Sequence, residues 1–373
     1  MQKPEKISWK DTNLALIGSD IDHKVKAAAA EGEAAWQGIG EEEGVKIWRI
    51  EKFQVKPWPA DQYGQFFRGD SYIVLNTYKQ GDSLKHDIHI WIGSESTQDE
   101  YGTAAYKMVE ADEYLGGAPV QHRQVEGKES SKFAKYFEAL EYLDGGVESG
   151  FNKVEATPDK PLFFRVKGKS AKNLKMMQMP MSVESMNDTD SFILYAGKDK
   201  VWCWHGKNAG PMEKAGSNVW AEKMCTLGTV TTLDQGSGDD EDKEFWGYLG
   251  EGEIGPAVSD EEELDEFAPV LYRVDGDPTK PLEKVGTGTP LKKDARDGKS
   301  SLQKSALDDN DVFLVDAGWE LFVWIGKGAD TKEKMAALGA ADCLAEVEPR
   351  VNYLPVTVVK SGSETSEFLS YFD

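Results

Sequence analysis

The sequence predicts an α+β protein in which one domain occurs three times, and three observations carry that expectation. Each copy opens with an apolar strand ending in a basic and an aliphatic residue. An acidic residue then leads straight into a second apolar run. A Trp-bearing strand closed by Gly follows, and a glutamate comes at a fixed distance beyond it. Features kept in one order at domain-sized intervals mark tandem domains rather than the turns of a solenoid.

The opening strands are IWRI (Ile47 to Ile50), LFFRV (Leu162 to Val166) and LYRV (Leu271 to Val274), so Arg49, Arg165 and Arg273 mark the three copies. The acidic starts are Asp70, Asp190 and Asp311, in DSYIVL, DSFILY and DVFLVD; such apolar runs read as buried central strands. HIWIG, VWCWHG and LFVWIG follow, each ending on a Gly suited to a tight strand exit. Trp91 to Glu100, Trp204 to Glu213 and Trp324 to Glu333 are each nine residues, which places each glutamate in the first turn of a helix. An aromatic pair closes each copy: Phe133 with Tyr136, Phe245 with Tyr248, Phe368 with Tyr371. The division that follows is an N-terminal extension over 1–46, a first domain over 47–155, a second with its linker over 156–262, and a third over 263–373. The Ala-rich stretch Val25 to Ala35 carries too little apolar surface for a core of its own.

At 373 residues the chain exceeds what one core holds, in keeping with three domains. Its 43 Lys and Arg against 66 Asp and Glu leave a formal charge of −23, which argues against nucleic acid or an anionic membrane as a partner of the whole molecule. No stretch approaches the ~20 apolar residues of a membrane span, and Met1 to Lys10 has no signal-peptide core. Cys203, Cys225 and Cys343 are scattered, as expected of buried fillers in a reducing cytoplasm. The five histidines form no catalytic triad, and His86 and His89 fall on opposite faces of a strand, so neither an enzyme nor a zinc site is expected.

Calcium takes 6 to 8 oxygens, commonly carbonyls with a bidentate carboxylate. An Asp at the mouth of a central strand and a Glu in the next helix's first turn supply such oxygens if the fold brings them together, which pairs Asp70 with Glu100, Asp190 with Glu213 and Asp311 with Glu333. A capping box, Thr97 to Glu100, accounts equally for the first glutamate. In the second copy Pro211 precedes Glu213 instead, so repetition tips the balance toward metal. Asp112-Glu113, followed by Gly116, Gly117 and Pro119, reads as a helix end with a Gly stop. Acids there oppose the helix macrodipole, and a positive charge is expected beside them. The apolar stripe of the Thr97 to Leu115 helix spans roughly 160°, wider than one core contact needs. It implies either a partner or burial on two sides.

GDSYIVL, HDIHIWIG, TQDEYGTAAYK, YLGGAPVQHR and GGVESGF together resemble the gelsolin family, most of all its short three-domain members of severin and fragmin type, from about Asp11 to the C-terminus. The resemblance implies a central mixed β-sheet in each domain, packed between a long and a short helix. It implies calcium held by the Gly69 carbonyl, Asp70, Glu100 and the Val147 carbonyl, with analogous sites at Asp190 and Glu213 and at Asp311 and Glu333. A further ion shared with actin maps to Asp112 with the carbonyls of Gly117 and Pro119. The actin-facing wedge maps to Thr97, Tyr101, Ala105, Tyr106, Met108, Val109 and Asp112.

The activity implied is calcium-regulated severing and barbed-end capping of actin filaments by a cytoplasmic, cytoskeletal monomer that changes no covalent bond; the alternative is capping without severing. The partners are actin monomer and filament, with the second domain on the filament side. Phosphoinositide binding maps to Arg165, Lys167, Lys169, Lys172 and Lys175, although EALEYLDGG is acidic where the family's lipid-binding stretch is basic. Thr189 and Asn310 replace the family's glycine before the site aspartate.

Overall fold

A computed structural model describes residues 32–146, 160–168, 170, 174–238, 242–255, 266–274, 282–292, 299–329, 344 and 348–373. The first stretch of chain contributes strands β1 (Gly44–Glu51), β2 (Gln54–Pro57), β3 (Gln65–Phe67), β4 (Ser71–Gln80), β5 (Ser83–Ile92), β6 (Val120–Val125) and β7 (Leu140–Leu143). The second contributes β8 (Leu162–Lys167), β9 (Lys175–Met179), β10 (Ser191–Tyr195), β11 (Val201–His205) and β12 (Thr231–Asp234). The third contributes β13 (Glu266–Phe267), β14 (Val270–Val274), β15 (Glu283–Thr287), β16 (Leu291–Lys292), β17 (Val312–Asp316), β18 (Leu321–Ile325) and β19 (Val356–Lys360). The helices are α1 (Gln98–Tyr114), α2 (Ser131–Ala134), α3 (Pro211–Met224), α4 (Lys243–Leu249) and α5 (Ser366–Leu369).

The described residues form two compact units. One takes its residues from Met1–Tyr63, Gly69–Phe133 and Glu263–Asp373, the other from Gly64–Arg68 and Ala134–Glu262. In the first, ten strands run in the order β15-β14-β17-β18-β19-β6-β5-β4-β1-β2. First-repeat and third-repeat strands thus share one sheet, joined where β19 pairs antiparallel with β6. In the second unit seven strands run in the order β12-β11-β10-β8-β9-β7-β3. Both sheets are mixed: β5 with β6, β11 with β12 and β18 with β19 are parallel among antiparallel neighbours.

Period-2 alternation explains why a sheet can be covered on both faces. In β10, Phe192 and Leu194 join Phe245 and Leu249 of the short α4, whereas Ile193 joins Trp220 and Ala221 of the longer α3. In β17, Phe313 and Val315 pack with Phe368 of α5, and Val312 and Leu314 enter the opposite cluster. The first members of the closing aromatic pairs, Phe133, Phe245 and Phe368, are all fully buried on short helices. Cys203 and Cys225 are buried, and burial pushes the Cys203 thiol up to about 12; Cys343 lies outside the described residues.

Two stretches pack elsewhere than the repeat boundaries suggest. Residues 1–46 read as an extension, yet Trp36 and Ile39 are buried in the core that holds β1, β4, β5 and α1. Trp36 meets Trp48 edge-on at 5.3 Å. The Ala-rich composition hid this because two large side chains, rather than an apolar stripe, make the contact. β7, within the span assigned to the first domain, pairs with β9 and β3 in the second unit's sheet. Its alternating buried Leu140 and Tyr142 match that sheet, beyond the aromatic pair that closes the first repeat.

Candidate cation and partner sites

The three site aspartates share one geometry. Their carbonyls accept hydrogen bonds at 3.0 Å from the strand-closing Gly93, Gly206 and Gly326. A Cβ on Gly206 would lie 2.5 Å from the Asp188 backbone, and one on Gly326 would lie 2.2 Å from the Asp309 carbonyl, so close approach dictates glycine there. Two residues beyond each aspartate stands an aromatic, Tyr72, Phe192 or Phe313, flanked across the sheet by the marker arginine and the repeat's Trp. That register makes each arginine a diagonal neighbour of the aspartate. The ion pairs Arg49–Asp70 at 2.6 Å, Arg165–Asp190 at 2.5 Å and Arg273–Asp311 at 2.8 Å result. The sequence marked these arginines without revealing their role. Their separations from the aspartates differ between copies, and only the strand register makes them equivalent.

Asp190 shows how such a carboxylate is oriented. Oδ2 accepts from Arg165 Nε and Asn187 Nδ2, both at 2.6 Å, while Oδ1 lies 4.0 Å from Lys167 Nζ. Glu213 is held by the amides of Gly168 at 3.1 Å and Gly210 at 2.8 Å. Burial raises the Glu213 pKa, and the nearby charge of Asp190 raises it further. The structure therefore brings Asp190 and Glu213 into electrostatic reach. Two largely buried acids whose charges repel fit a divalent cation, which would relieve that repulsion.

In the first repeat the capping-box contact is present: Glu100 Oε2 accepts from Thr97 N at 3.0 Å, as well as from Ser96 Oγ at 3.3 Å. Ser96 Oγ meets Ser71 Oγ at 2.8 Å, so a two-step hydrogen-bond path links Glu100 to the residue beside Asp70. Val147 and Glu333 lie outside the described residues. Where Thr189 and Asn310 stand in place of glycine, a side chain stabilises the turn. Asn187 Oδ1 accepts from Thr189 N at 2.9 Å, and Asp308 Oδ1 from Asn310 N at 2.9 Å.

The wide stripe of α1 is resolved by burial. Tyr101, Ala105 and Met108 belong to the domain's own core, and Val109 is buried. In this arrangement these four face inward or are covered. Thr97 and Tyr106 are exposed. The N-terminal segment lies along the same helix: Glu33 pairs with Lys107 at 3.0 Å, and Gly38 N donates to the Tyr114 hydroxyl at 3.3 Å.

At the C-terminal end of α1, Gly116 and Gly117 both take φ of +70°, and Gly117 N bonds the Asp112 carbonyl at 2.8 Å, making the Gly stop. The positive charge expected there is also present. Lys360 Nζ, from β19, donates to the Gly117 carbonyl at 2.9 Å and lies 3.8 Å from Asp112 Oδ2. Pro119 is buried beside this corner in sequence. Nothing in the local sequence points to Lys360, which is 248 residues from Asp112.

Of the lipid-binding candidates, Arg165 is 3 % exposed and ion-paired with Asp190. Lys167 and Lys175 are opposite one another on β8 and β9, and Lys175 also lies over the Tyr142 ring. Lys169 and Lys172 lie outside the described residues.

The sequence profile of the gelsolin repeat matches residues 54–134 and 299–369. The chain is similar to gelsolin-like protein 1 of Lumbricus terrestris, with 36 % identity over 378 residues covering 98 % of this chain and 97 % of that protein. It is similar to severin of Echinococcus granulosus, 33 % identical over 383 residues with 98 % and 97 % covered. It is also similar to the actin depolymerising venom protein gelsolin 1 of Platymeris rhadamanthus, 35 % identical over 347 residues with 90 % of each covered.

Proposed function

Because this chain belongs to the gelsolin family, we propose that it severs actin filaments and caps their barbed ends under calcium control, acting in the cytoplasm as a monomer. Family membership makes it a binding protein rather than an enzyme. The reading of calcium control is supported by the burial of Asp190 and Glu213 and by the charge of Asp190 acting on Glu213. These are two acids in electrostatic reach at the mouth of a sheet, with one aspartate oxygen fixed by Arg165 and Asn187. The recurrence of the arginine–aspartate geometry at Asp70 and Asp311 extends the same reading to the other repeats. Bound calcium favours whichever domain arrangement binds it more tightly, and by no more than that difference in affinity. Actin as the partner is supported by the name of the venom relative and by the exposure of Thr97, which caps α1, and of Tyr106 on that helix. In this reading the first domain engages the barbed end and the second the filament side.

The test dilutes fluorescently labelled filaments below the critical concentration with the full-length protein, in calcium and in chelator. Accelerated signal loss in calcium alone is the expected result. Blocked end growth without accelerated loss would reduce the function to capping, and identical behaviour in both conditions would remove calcium control. Calorimetry on Glu100→Gln and Glu213→Gln should each show one calcium site fewer than wild type.

A further inference from the structure

From the methionines at the margin of the second unit's core we infer that Met179 and Met181 are oxidation sites, and that converting their thioethers to sulfoxides frees residues 252–255 from that core. The oxidant is a peroxide. Neither actin nor calcium enters this chemistry.

Met176, Met177, Met179, Met181 and Met186 are five of the chain's ten methionines, so the thioethers are concentrated in one stretch. Burial divides them. Met176, Met177 and Met186 are 1 %, 3 % and 1 % exposed, whereas Met179 and Met181 are half-buried. Met179 stands directly across from Phe163 of β8, whose ring stacks on Phe192 at 5.5 Å. Residues opposite one another on adjacent strands share a face, and both Met179 and Met181 pack against the cluster built on Phe163, Phe192, Trp202 and Trp204. The two side chains therefore meet solvent on one side and an aromatic core on the other. A small oxidant reaches them without unfolding, and the change it makes is felt inside.

Ile254 packs against the same cluster, also half-buried. Around it, Gly255 N donates to the Met186 carbonyl at 2.9 Å, and Gly255 forms an isolated bridge with Asn187. A Cβ on Gly252 would lie 2.5 Å from Val183 Cγ1, so the backbone rests closely on the turn that follows Met181. Asn187 also donates to Asp190 Oδ2 at 2.6 Å, so this strap and the acidic site share a residue. One apolar side chain and a short backbone bridge are a slight attachment, and it depends on the margin beneath Ile254 staying apolar. Peroxide attacks a sulfur lone pair: an S–O bond forms, the O–O bond breaks, sulfur is oxidised to the sulfoxide, and the departing hydroxyl takes the remaining proton and leaves as water. The new S=O is a polar acceptor for which an apolar cluster holds no donor, and an unpaired polar group there is destabilising.

The experiment treats the full chain with dilute hydrogen peroxide, maps sulfoxides by peptide mass spectrometry and follows hydrogen exchange of a peptide covering 250–255. Wild type is compared with the Met179→Leu/Met181→Leu double variant, which keeps the apolar volume, and with Met212→Leu. Met212 is 40 % exposed on α3, so it takes up oxygen with little core to disturb. The expected result is that Met179 and Met181 oxidise at least about tenfold faster than Met176, Met177 and Met186, and that oxidation speeds exchange of 250–255 about tenfold in wild type and in Met212→Leu. The double variant should exchange alike before and after peroxide, and methionine sulfoxide reductases should restore protection to wild type. Oxidation of Met179 and Met181 no faster than that of Met186 would overturn the inference, as would sulfoxides at both with unchanged exchange. A peroxide effect that persists in the double variant would assign the release to another group and overturn it as well. Reversal by the reductases is read on wild type alone, so a double variant that is loose before peroxide leaves a decisive measurement: protection that does not return refutes a release through these thioethers.

Discussion

Arg165→Met is the perturbation that most directly separates a structural ion pair from a cation site. Arg165 and Asp190 are 3 % and 2 % exposed, and the guanidinium supplies Asp190 Oδ2 with contacts at 2.5 and 2.6 Å. Methionine keeps much of the side chain's apolar volume but leaves the carboxylate with Asn187 Nδ2 at 2.6 Å and Lys167 Nζ at 4.0 Å. Removing one partner of a buried pair costs about 3–5 kcal/mol, and the two remaining partners put this case near the lower end. For a domain of this size about 3 kcal/mol corresponds to a fall of about 12–24 °C in melting temperature. In calcium the ion supplies the missing positive charge, and binding to the folded state alone should recover about 1–2 kcal/mol. Scanning calorimetry in chelator and in calcium, with hydrogen exchange of β8 and β10 to assign the transition, reads both numbers. An equal loss in the two conditions would refute a cation at Asp190. An unchanged melting temperature in chelator would refute the claim that Arg165 balances a buried charge.

Two further perturbations test the first unit. Trp36→Ala removes a fully buried ring packed on Trp48 and should cost about 3–5 kcal/mol in chemical denaturation; a loss within about 0.5 kcal/mol would return residues 33–39 to the status of a loose extension. Acidification should weaken the β6–β19 junction. Burial depresses His89 and His122, so below about 6.5 the unfolded chain takes up protons that the folded one refuses, and stability falls as pH drops. Asp87 adds to this at lower pH. Although its burial acts to raise the pKa, its bond to His122 and the charge of Lys132 hold it below the usual carboxylate range, so its contribution is present above about 4 and lost on acidification. Glu320 opposes them. Desolvation raises it to about 7, so its contribution is full at low pH and lost as pH rises through that value. Denaturation of the full chain at several pH values should therefore give a steeper acid loss for Glu320→Gln and a shallower one for His122→Gln.

Much of the fold was legible because it depends on local pattern. The apolar runs after Asp70, Asp190 and Asp311 become β4, β10 and β17, and the Trp strands become β5, β11 and β18, since alternating burial leaves a period that a sequence records. The site aspartates were legible for the same reason, standing at strand mouths in every copy. The partners of those aspartates were not. Arg49, Arg165 and Arg273 lie 21, 25 and 38 residues before them, and only sheet register brings each to the same diagonal position. The α1 stripe was legible as too wide, but whether a partner or the chain's own N-terminal segment covers it depends on where Trp36 and Glu33 come to rest.

By itself the sequence determined that there are three repeats, that each carries an acid at the mouth of a buried strand, and that the end of α1 needs a positive charge, because periodicity and helix electrostatics act over a few residues. Tertiary structure alone decided that this charge is Lys360, that the first and third repeats share a sheet through β6 and β19, and that β7 joins the second unit's sheet. These are pairings between backbone edges and side chains far apart along the chain. Their energy depends on register and approach in space, and no local pattern encodes it.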